Sequence, residues 1–176
     1  MRDLIAGYGE IWSTKLFHRY LESRGSRRGP LQWIDARRVV VVEWGPLGPA
    51  VQWDASRERL ADLVDADFKG TLIITGFIAA DRRGVQTTLG RNGSDFSASI
   101  FGALLRAAEI YIWTDVDGVL SADPRRVPDA TVIDSLSYSE AMELAYFGAK
   151  VLHPQTMAPA VGDGIPIWIR NTFAPH

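Results

Sequence analysis

The sequence predicts an α/β fold, a three-layer αβα sandwich with a mostly parallel central sheet. Two short apolar runs, Thr71–Ala79 and Glu109–Asp115, are rich in β-branched and aromatic residues and are too short to be buried helices. Between them lie a polar, glycine-containing loop and the helical segment SASIFGALLRAAE. This order indicates a βαβ unit, and ligands bind such sheets where the parallel strands end.

Composition places the chain among globular proteins and excludes several classes of partner. Its 176 residues are 47% hydrophobic and 23% charged, which favours one domain over residues 1–176. The net charge of −2 favours neither a nucleic acid nor an anionic membrane as partner, and no apolar run reaches the ~20 residues of a membrane span. Cysteine is absent, which excludes disulfides and fits a cytoplasmic protein.

In the first half of the chain, glycine and proline mark the predicted boundaries. Met1–Ser23 has helical composition, but Gly7-Tyr8-Gly9 predicts a turn, with a new helix from about Glu10. Short strands are predicted at Leu31–Ile34 and Arg38–Val42. The remaining elements are a surface loop over residues 45–49 and a helix that starts after Asp54 or Ser56 and ends near Lys69-Gly70.

The second half carries clearer local signals. Segments TGFIA and GVQTT, joined by a turn at residues 81–84, predict a small antiparallel excursion. Ser94 is the expected N-cap of the following helix, with Asp95 in its first turn. Ser137 and Glu140 have capping-box spacing, Pro154 is expected to start a short helix, and Ile165–Ile169 reads as a closing strand.

The loop from Thr88 to Asp95 offers groups that bind anions. Backbone amides at a helix N-terminus attract negative charge, and Arg91 can hold a carboxylate or phosphate with two hydrogen bonds. The alternative is a flexible capping loop with a solvated arginine. Glu10 also has two interpretations, a ligand-binding carboxylate or a partner of the helix dipole. The three histidines have no ligand spacing, and we predict no protein metal site.

The predicted site offers cations, backbone amides and carboxylates but no nucleophile, which is the set of groups that suits phosphoryl transfer. Four segments of the sequence also resemble one protein family. These are YGEIWST, TTLGRNGSDFSAS, IWTDVDGVLSADPR and LAYFGAKVLHPQTMAPA. Together they resemble the catalytic domain of aspartate kinase, in the amino acid kinase family, over essentially the whole chain. The resemblance implies phosphorylation of the β-carboxylate of L-aspartate by MgATP, the first step towards lysine, threonine and methionine.

The resemblance also assigns roles to individual residues. Glu10 is expected to meet the amino group of aspartate and Arg91 its carboxylate, while Asp95 organises the reacting end. Arg91 and Asp95 are therefore the implied catalytic residues. The other implied contacts are Asn92, Gly93 and Ser94 for aspartate, and Thr114, Asp115, Leu120, Arg125, Lys150 and Val151 for ATP. Mg²⁺ is expected to be held mainly by the nucleotide phosphates.

The chain departs from the family pattern in four ways. Leu120 stands where relatives often have tyrosine, and Asn92 replaces a glycine, which requires a positive φ. The given sequence has no strand with a K-F-G-G loop ahead of Glu10, and it stops at His176, where relatives continue into regulatory domains or a fused second enzyme, as we expect the parent chain to do. We therefore expect the C-terminal portion of a catalytic domain, inactive alone, from a homo-oligomeric parent. The alternatives are another amino acid kinase, or a non-catalytic nucleotide-binding or oligomerisation module of the same fold.

Overall fold

The computed structural model describes residues 2–25, 29–46, 48–123, 125–146 and 154–174. The chain divides into two compact units, Met1–Ser94 and Asp95–His176. The single domain expected over residues 1–176 stays a prediction. The helices are α1 (Arg2–Arg24), α2 (Trp53–Ala61), α3 (Gly93–Leu104), α4 (Tyr138–Tyr146) and α5 (Pro154–Gly162). The strands are β1 (Leu31–Ile34), β2 (Val42–Gly45), β3 (Gly48–Val51), β4 (Thr71–Ile74), β5 (Ile78–Ala80), β6 (Gln86–Thr88), β7 (Ile110–Thr114) and β8 (Ile167–Asn171).

The first unit is built on parallel and antiparallel strand pairs. β1 pairs in parallel with β4, whereas β2 pairs with β3 and β5 with β6 in antiparallel hairpins. Its core is the run Val39–Val42 with the three residues of β5, all fully buried. Helix α1 packs on β1, β4 and β6, and Ile11 is its buried apolar contact.

The predicted turn at Gly7-Tyr8-Gly9 is wrong, because α1 runs without interruption for 23 residues. Gly7 instead permits close packing. A Cβ at this position would lie 2.8 Å from Ile78 Cγ2 and would also overlap the Gln86 amide. The glycine therefore lets α1 approach the β5–β6 hairpin, a tertiary requirement that local sequence does not reveal.

Three further boundaries differ from the prediction. Of the predicted strand Arg38–Val42, only Val42 lies in a strand, as the first residue of β2. Arg38 ends a 3₁₀ turn that covers Ala36–Arg38, and Val41 forms an isolated bridge to Ala80.

In the predicted surface loop over residues 45–49, Gly45 pairs with Gly48, and Pro49 pairs with Trp44, at the end of the β2–β3 hairpin; residue 47 lies outside the described residues.

Helix α2 starts at Trp53, before the predicted position, and ends at Ala61 rather than near Lys69. Three aspartates follow, at 62, 65 and 67. Negative charge at a helix C-terminus opposes the dipole and favours this early end.

The antiparallel excursion is confirmed. Ile78–Ala80 pairs with Gln86–Thr88, and Asp81 closes the turn, accepting hydrogen bonds from the backbone N–H groups of Arg83 and Val85, each at 2.9 Å. The apolar run Thr71–Ala79 is consequently two strands, β4 and β5.

The second unit contains the predicted final strand. β7 and β8 are parallel, from Ile110↔Ile167 to Thr114↔Asn171, so the closing strand exists but lies two residues later than expected. Ile110, Ala160 and Ile165 form its buried cluster.

The capping box at α4 is confirmed. Ser137 N–H and Oγ contact Glu140 Oε2 at 2.7 Å each, and the Glu140 N–H donates to Ser137 Oγ at 3.2 Å. These hydrogen bonds lower the pKa of Glu140. Pro154 opens α5 as predicted. Among the described residues, no helix is long and apolar enough to cross a membrane.

Candidate functional site

The best-defined part of the site lies around Gly76, in the break between β4 and β5. A Cβ placed on Gly76 would lie 3.5 Å from a Glu10 carboxylate oxygen and 3.6 Å from Ser94 Oγ. The backbone N–H of Gly76 donates a hydrogen bond to the Glu10 carboxylate. Helix α1, the β4–β5 break and the start of α3 therefore bring Glu10 and Ser94 to one point.

Glu10 is not a partner of the helix dipole. The dipole acts within the first turn of a helix, whereas Glu10 lies more than two turns after Arg2. The carboxylate is half-buried, and burial raises its pKa, an effect partly offset by the Gly76 N–H. A carboxylate that is partly desolvated beside an open position suits a cationic ligand group.

Left-handed residues shape the polar loop that leads into α3. Gly90 has φ +76° and Asn92 has φ +55°, so Asn92 adopts the conformation that its replacement of glycine requires. A Cβ at Gly93 would lie 2.6 Å from Phe77 Cδ2, so only glycine fits there. Because α3 begins at Gly93, the prediction that Ser94 is its N-cap is wrong; Ser94 lies inside the first turn.

Arg91 and Asp95 flank this helix start in different environments. Arg91 is exposed and has no ion pair with any residue that the structure describes. Its guanidinium is therefore available to a ligand. Asp95 lies in the first turn, as predicted, and is half-buried, which raises the pKa of its carboxyl group.

Two contributions to this region were missed from the sequence. One is Trp44, whose side chain is 53% exposed on the β2–β3 hairpin and whose Nε1 donates to Thr87 Oγ1 at 2.7 Å. Its ring also lies 4.0 Å from the Cβ position of Gly90, so it supports the loop from outside. Gly76 was likewise overlooked, although an interruption of an apolar run by TGF is a usable signal.

A second polar group follows β7 in the other unit. Thr114 Oγ1 donates to Asp115 Oδ1 at 3.2 Å, and Asn171 at the end of β8 donates to Asp117 Oδ1 at 2.7 Å. The parallel register Thr114↔Asn171 explains this convergence, because both strands end at the same edge.

Beside this group is a pocket of about 530 Å³, with Asp117, Val132, Tyr138 and Arg170 in its lining. Of the other predicted nucleotide contacts, Leu120 is half-buried and bridges Val132, outside the pocket lining.

Arg125 is exposed, and its N–H donates to Asp123 Oδ1 at 3.0 Å. Lys150 and Val151 lie outside the described residues. Within the described part of the chain, no group of three or more His, Asp or Glu side chains is placed to hold a metal ion.

Fold and site together define an α/β protein with polar loops at strand ends and an exposed arginine at a helix N-terminus. The chain belongs to the amino acid kinase family, whose sequence profile matches residues 1–171. It is 47% identical to the chloroplastic bifunctional aspartokinase/homoserine dehydrogenase of Daucus carota, over 97% of this chain. It is 38% identical to the lysine-sensitive aspartokinase 3 of Escherichia coli over all of this chain.

Solved structures give the same result for the fold. Escherichia coli aspartokinase III, crystallised with aspartate and ADP, superposes with a TM-score of 0.88 over 99% of this chain at 38% identity. The aspartate kinase of Clostridium acetobutylicum gives 0.82 over 99% of the chain at 34% identity. These matches confirm the predicted α/β fold of the amino acid kinase type. The chain spans 18% of the length of the carrot relative and 39% of E. coli aspartokinase 3.

Proposed function

We propose that this chain is the part of an aspartate kinase that binds ATP and one side of L-aspartate, for transfer of the γ-phosphoryl group to the β-carboxylate. The observation that carries the proposal is the convergence of Glu10 and Ser94 on Gly76 beside the loop that bears Arg91. The similarity to a kinase solved with aspartate and ADP supplies the substrate class.

Complementary charge assigns the aspartate side. Glu10 accepts from the ammonium group, and Arg91 forms a bidentate pair with a carboxylate. Asn92, Gly93 and Ser94 border the substrate with backbone and hydroxyl groups, since the left-handed Asn92 turns the chain into α3. Asp95, whose pKa is raised by burial, is assigned to the reacting end of the site.

The nucleotide is assigned to the loops after β7. Thr114 and Asp115 supply hydrogen-bonding groups at the strand end, Leu120 an apolar contact, and Arg125 an exposed cation for phosphates. Lys150 and Val151 are assigned to the same ligand by the family resemblance alone. Mg²⁺ would enter with ATP, held mainly by phosphate oxygens, because Mg²⁺ is commonly bound through substrate phosphates and few carboxylates.

The test is a chimera in which this chain replaces the matching segment of E. coli aspartokinase 3. The TM-score of 0.88 makes such a replacement structurally reasonable. We expect ADP release that depends on L-aspartate and is absent with D-aspartate or L-glutamate. A chimera that folds by circular dichroism and binds ADP, yet releases no ADP with L-aspartate, would contradict the proposal.

A non-catalytic nucleotide-binding module is the second candidate, favoured by the polar group of Thr114, Asp115 and Asp117 beside a pocket of about 530 Å³, an arrangement that can bind a ligand without a catalytic residue. Thermal unfolding of the 176-residue chain separates the two. Ligands that bind only the folded state raise the unfolding midpoint. ATP alone should stabilise a nucleotide-binding module, whereas L-aspartate should add a further increase if the proposed aspartate side is correct.

Three further expectations, on the oligomeric state, the extent of the parent chain and its location in the cell, remain proposals. A parent chain that continues into regulatory or fused domains agrees with the bifunctional relatives. A homo-oligomeric parent is proposed from the family resemblance alone. A cytoplasmic location is proposed from the composition; the plant relatives are described as chloroplastic.

A further inference from the structure

The loop that leads into α3 contains a four-residue turn, Gly90–Gly93, whose direction decides where Arg91 can reach. The N–H of Gly93 donates a hydrogen bond to the carbonyl of Gly90 at 3.2 Å, which closes the turn. Arg91 is the second residue of the turn. Asn92 is the third, and its φ of +55° is the left-handed conformation that a type II turn has at this position. These features hold the four residues together, so Arg91 follows the turn as a whole.

The direction in which this turn leaves the strand is not fixed by the local sequence. Gly90 has φ +76°, and glycine adopts positive and negative φ about equally readily. The residues just before it are well anchored, because Thr88 and Leu89 are buried and the Leu89 N–H donates to the Phe77 carbonyl at 2.8 Å. Gly90 is therefore a joint between an anchored segment and the turn, and its conformation needs support from elsewhere.

Trp44, on the β2–β3 hairpin, contacts this joint from outside the loop. Its Nε1 donates to Thr87 Oγ1 at 2.7 Å, and Thr87 is buried, so one end of the indole is fixed. Among the residues that the structure describes, apart from the chain neighbours of Gly90, the Cη2 atom of Trp44 is the one heavy atom within 4 Å of a Cβ placed on Gly90. The other end of the indole therefore lies against the joint.

Packing alone does not account for this side chain. Trp44 is 53% exposed, whereas tryptophan is highly buried on average. A tryptophan side chain has only two torsion angles, so one directional hydrogen bond restricts the whole ring at a low cost in conformational entropy. Trp44 combines a rigid ring, a fixed end and a contact with Gly90, and this combination is what a positioning residue needs.

We propose that Trp44 is a positioning residue for L-aspartate, which holds Gly90 in its left-handed conformation and so keeps Arg91 directed at the substrate carboxylate. The inference rests on the proposed function, which assigns Arg91 to aspartate. Trp44 acts through Arg91 and does not itself contact the substrate. Because a bidentate arginine–carboxylate pair depends on its geometry, a turn that is free at Gly90 weakens aspartate binding and leaves the nucleotide contacts unchanged.

The first test is steady-state kinetics in the chimera with E. coli aspartokinase 3. Trp44→Phe keeps an aromatic ring and removes the N–H donor, whereas Thr87→Val keeps the shape of the side chain and removes the acceptor. We expect each variant to raise the aspartate KM about 3–10-fold, as for one lost hydrogen bond, and to change the ATP KM less than about 2-fold. The double variant should have no larger effect than either single one, because both remove the same bond.

A purely structural role for Trp44 predicts a different result. Loss of packing would lower the free energy of unfolding and reduce the amount of active enzyme, with both KM values changed equally or not at all. Equal changes in the two KM values, an unchanged aspartate KM in Trp44→Phe and Thr87→Val, or additive effects in the double variant would overturn the proposal.

Hydrogen exchange of the 176-residue chain tests the same idea without catalysis. The Gly93 N–H closes the turn, and in Trp44→Ala it should exchange at least ~10-fold faster, since local opening decides the exchange of a turn amide. Thr87→Val should show a smaller increase, which keeps the test available if Trp44→Ala does not fold. Trp33→Phe is the matched control, because Trp33 Nε1 also donates to a threonine hydroxyl, Thr14 Oγ1 at 3.0 Å, and it should leave the Gly93 N–H unchanged.

The two measurements separate this inference from the proposed function. A wild-type chimera that folds and binds ADP, yet releases no ADP with L-aspartate, would contradict the proposed function, and hydrogen exchange would still decide whether Trp44 holds the turn. An active wild-type chimera together with unchanged exchange of the Gly93 N–H in folded Trp44→Ala and Thr87→Val would overturn the role of Trp44 alone.

Discussion

Two glycines on α1 permit a direct measurement of how tightly this helix is packed. A Cβ at Gly7 would lie 2.8 Å from Ile78 Cγ2, whereas a Cβ at Gly9 would have no heavy atom within 4 Å. Ile78 is fully buried and has no room to withdraw. Gly7→Ala and Gly9→Ala therefore make the same chemical change in the same helix, and only one of them meets an obstacle.

The magnitudes follow from two opposing effects. Alanine improves helix propensity by about 0.8–1 kcal/mol at either position. Overpacking a filled core costs about 1–3 kcal/mol, and this applies to Gly7 alone. We expect Gly9→Ala to raise the free energy of unfolding by up to ~1 kcal/mol. Gly7→Ala should fall about 1–3 kcal/mol below Gly9→Ala, because the propensity effect cancels between them.

Urea unfolding followed by circular dichroism at 222 nm is the assay, with the m-value checked for constancy across the three proteins. Equal stability of the two variants would refute the reasoning. It would mean that the close approach of α1 to the β5–β6 hairpin does not depend on the absence of a side chain at Gly7.

The further predictions concern the site and the activity of the chain alone. In the chimera, Arg91→Ala should raise the aspartate KM at least 10-fold and change the ATP KM less than about 2-fold, as expected for one lost charge-assisted pair; equal losses would refute the division into two sides. Glu10→Gln should raise the aspartate KM roughly 30-fold or more, since truncating a partly desolvated charge pair costs about 2–5 kcal/mol. Burial raises the pKa of Glu10 above its usual value, so the contribution of Glu10 to wild-type stability should fall as pH rises through the raised pKa. Urea unfolding at pH 4 and pH 8 should show Glu10→Gln gaining stability relative to wild type at the higher pH, since Asp81 and Glu140, whose pKa values are lowered, titrate alike in both proteins. Asn92→Gly should preserve stability and Asn92→Ala should lower it by about 1 kcal/mol, because φ is +55°. The 176-residue chain alone should release ADP far more slowly than the ~1–100 per second of kinases; a rate in that range would show that the family's K-F-G-G loop is dispensable.

Local signals in the sequence predicted elements whose causes are local. The Ser137–Glu140 capping box and the hairpin around Asp81 depend on side chains that bond backbone groups two to four residues away, and both are confirmed. The α/β class was predicted from the length and composition of the apolar runs, which are also local properties of the sequence.

The wrong turn at Gly7 and the open questions at Glu10 and Gly76 have tertiary causes. Gly7 has the local appearance of a helix breaker, and only its contact with Ile78 and Gln86 shows why it is tolerated within a helix. The location of Glu10 was open for the same reason, because the helix start decides whether its carboxylate meets a dipole or a ligand. The role of Gly76 could not be predicted from its local sequence, because its neighbours in the fold, Glu10 and Ser94, are distant in sequence. Lys150 and Val151 stay predictions from the family resemblance.

The close contact at Gly7 has a consequence for positional tolerance. A helix moves as a stiff rod, and Glu10 is less than one turn along the rod from Gly7. Any group that lifts α1 off Ile78 therefore lifts the Glu10 carboxylate away from the Gly76 N–H by a similar distance. A displacement of about 1 Å can reduce catalysis 100-fold. A methyl group at Gly7, which does not contact the substrate, would therefore weaken substrate binding by Glu10.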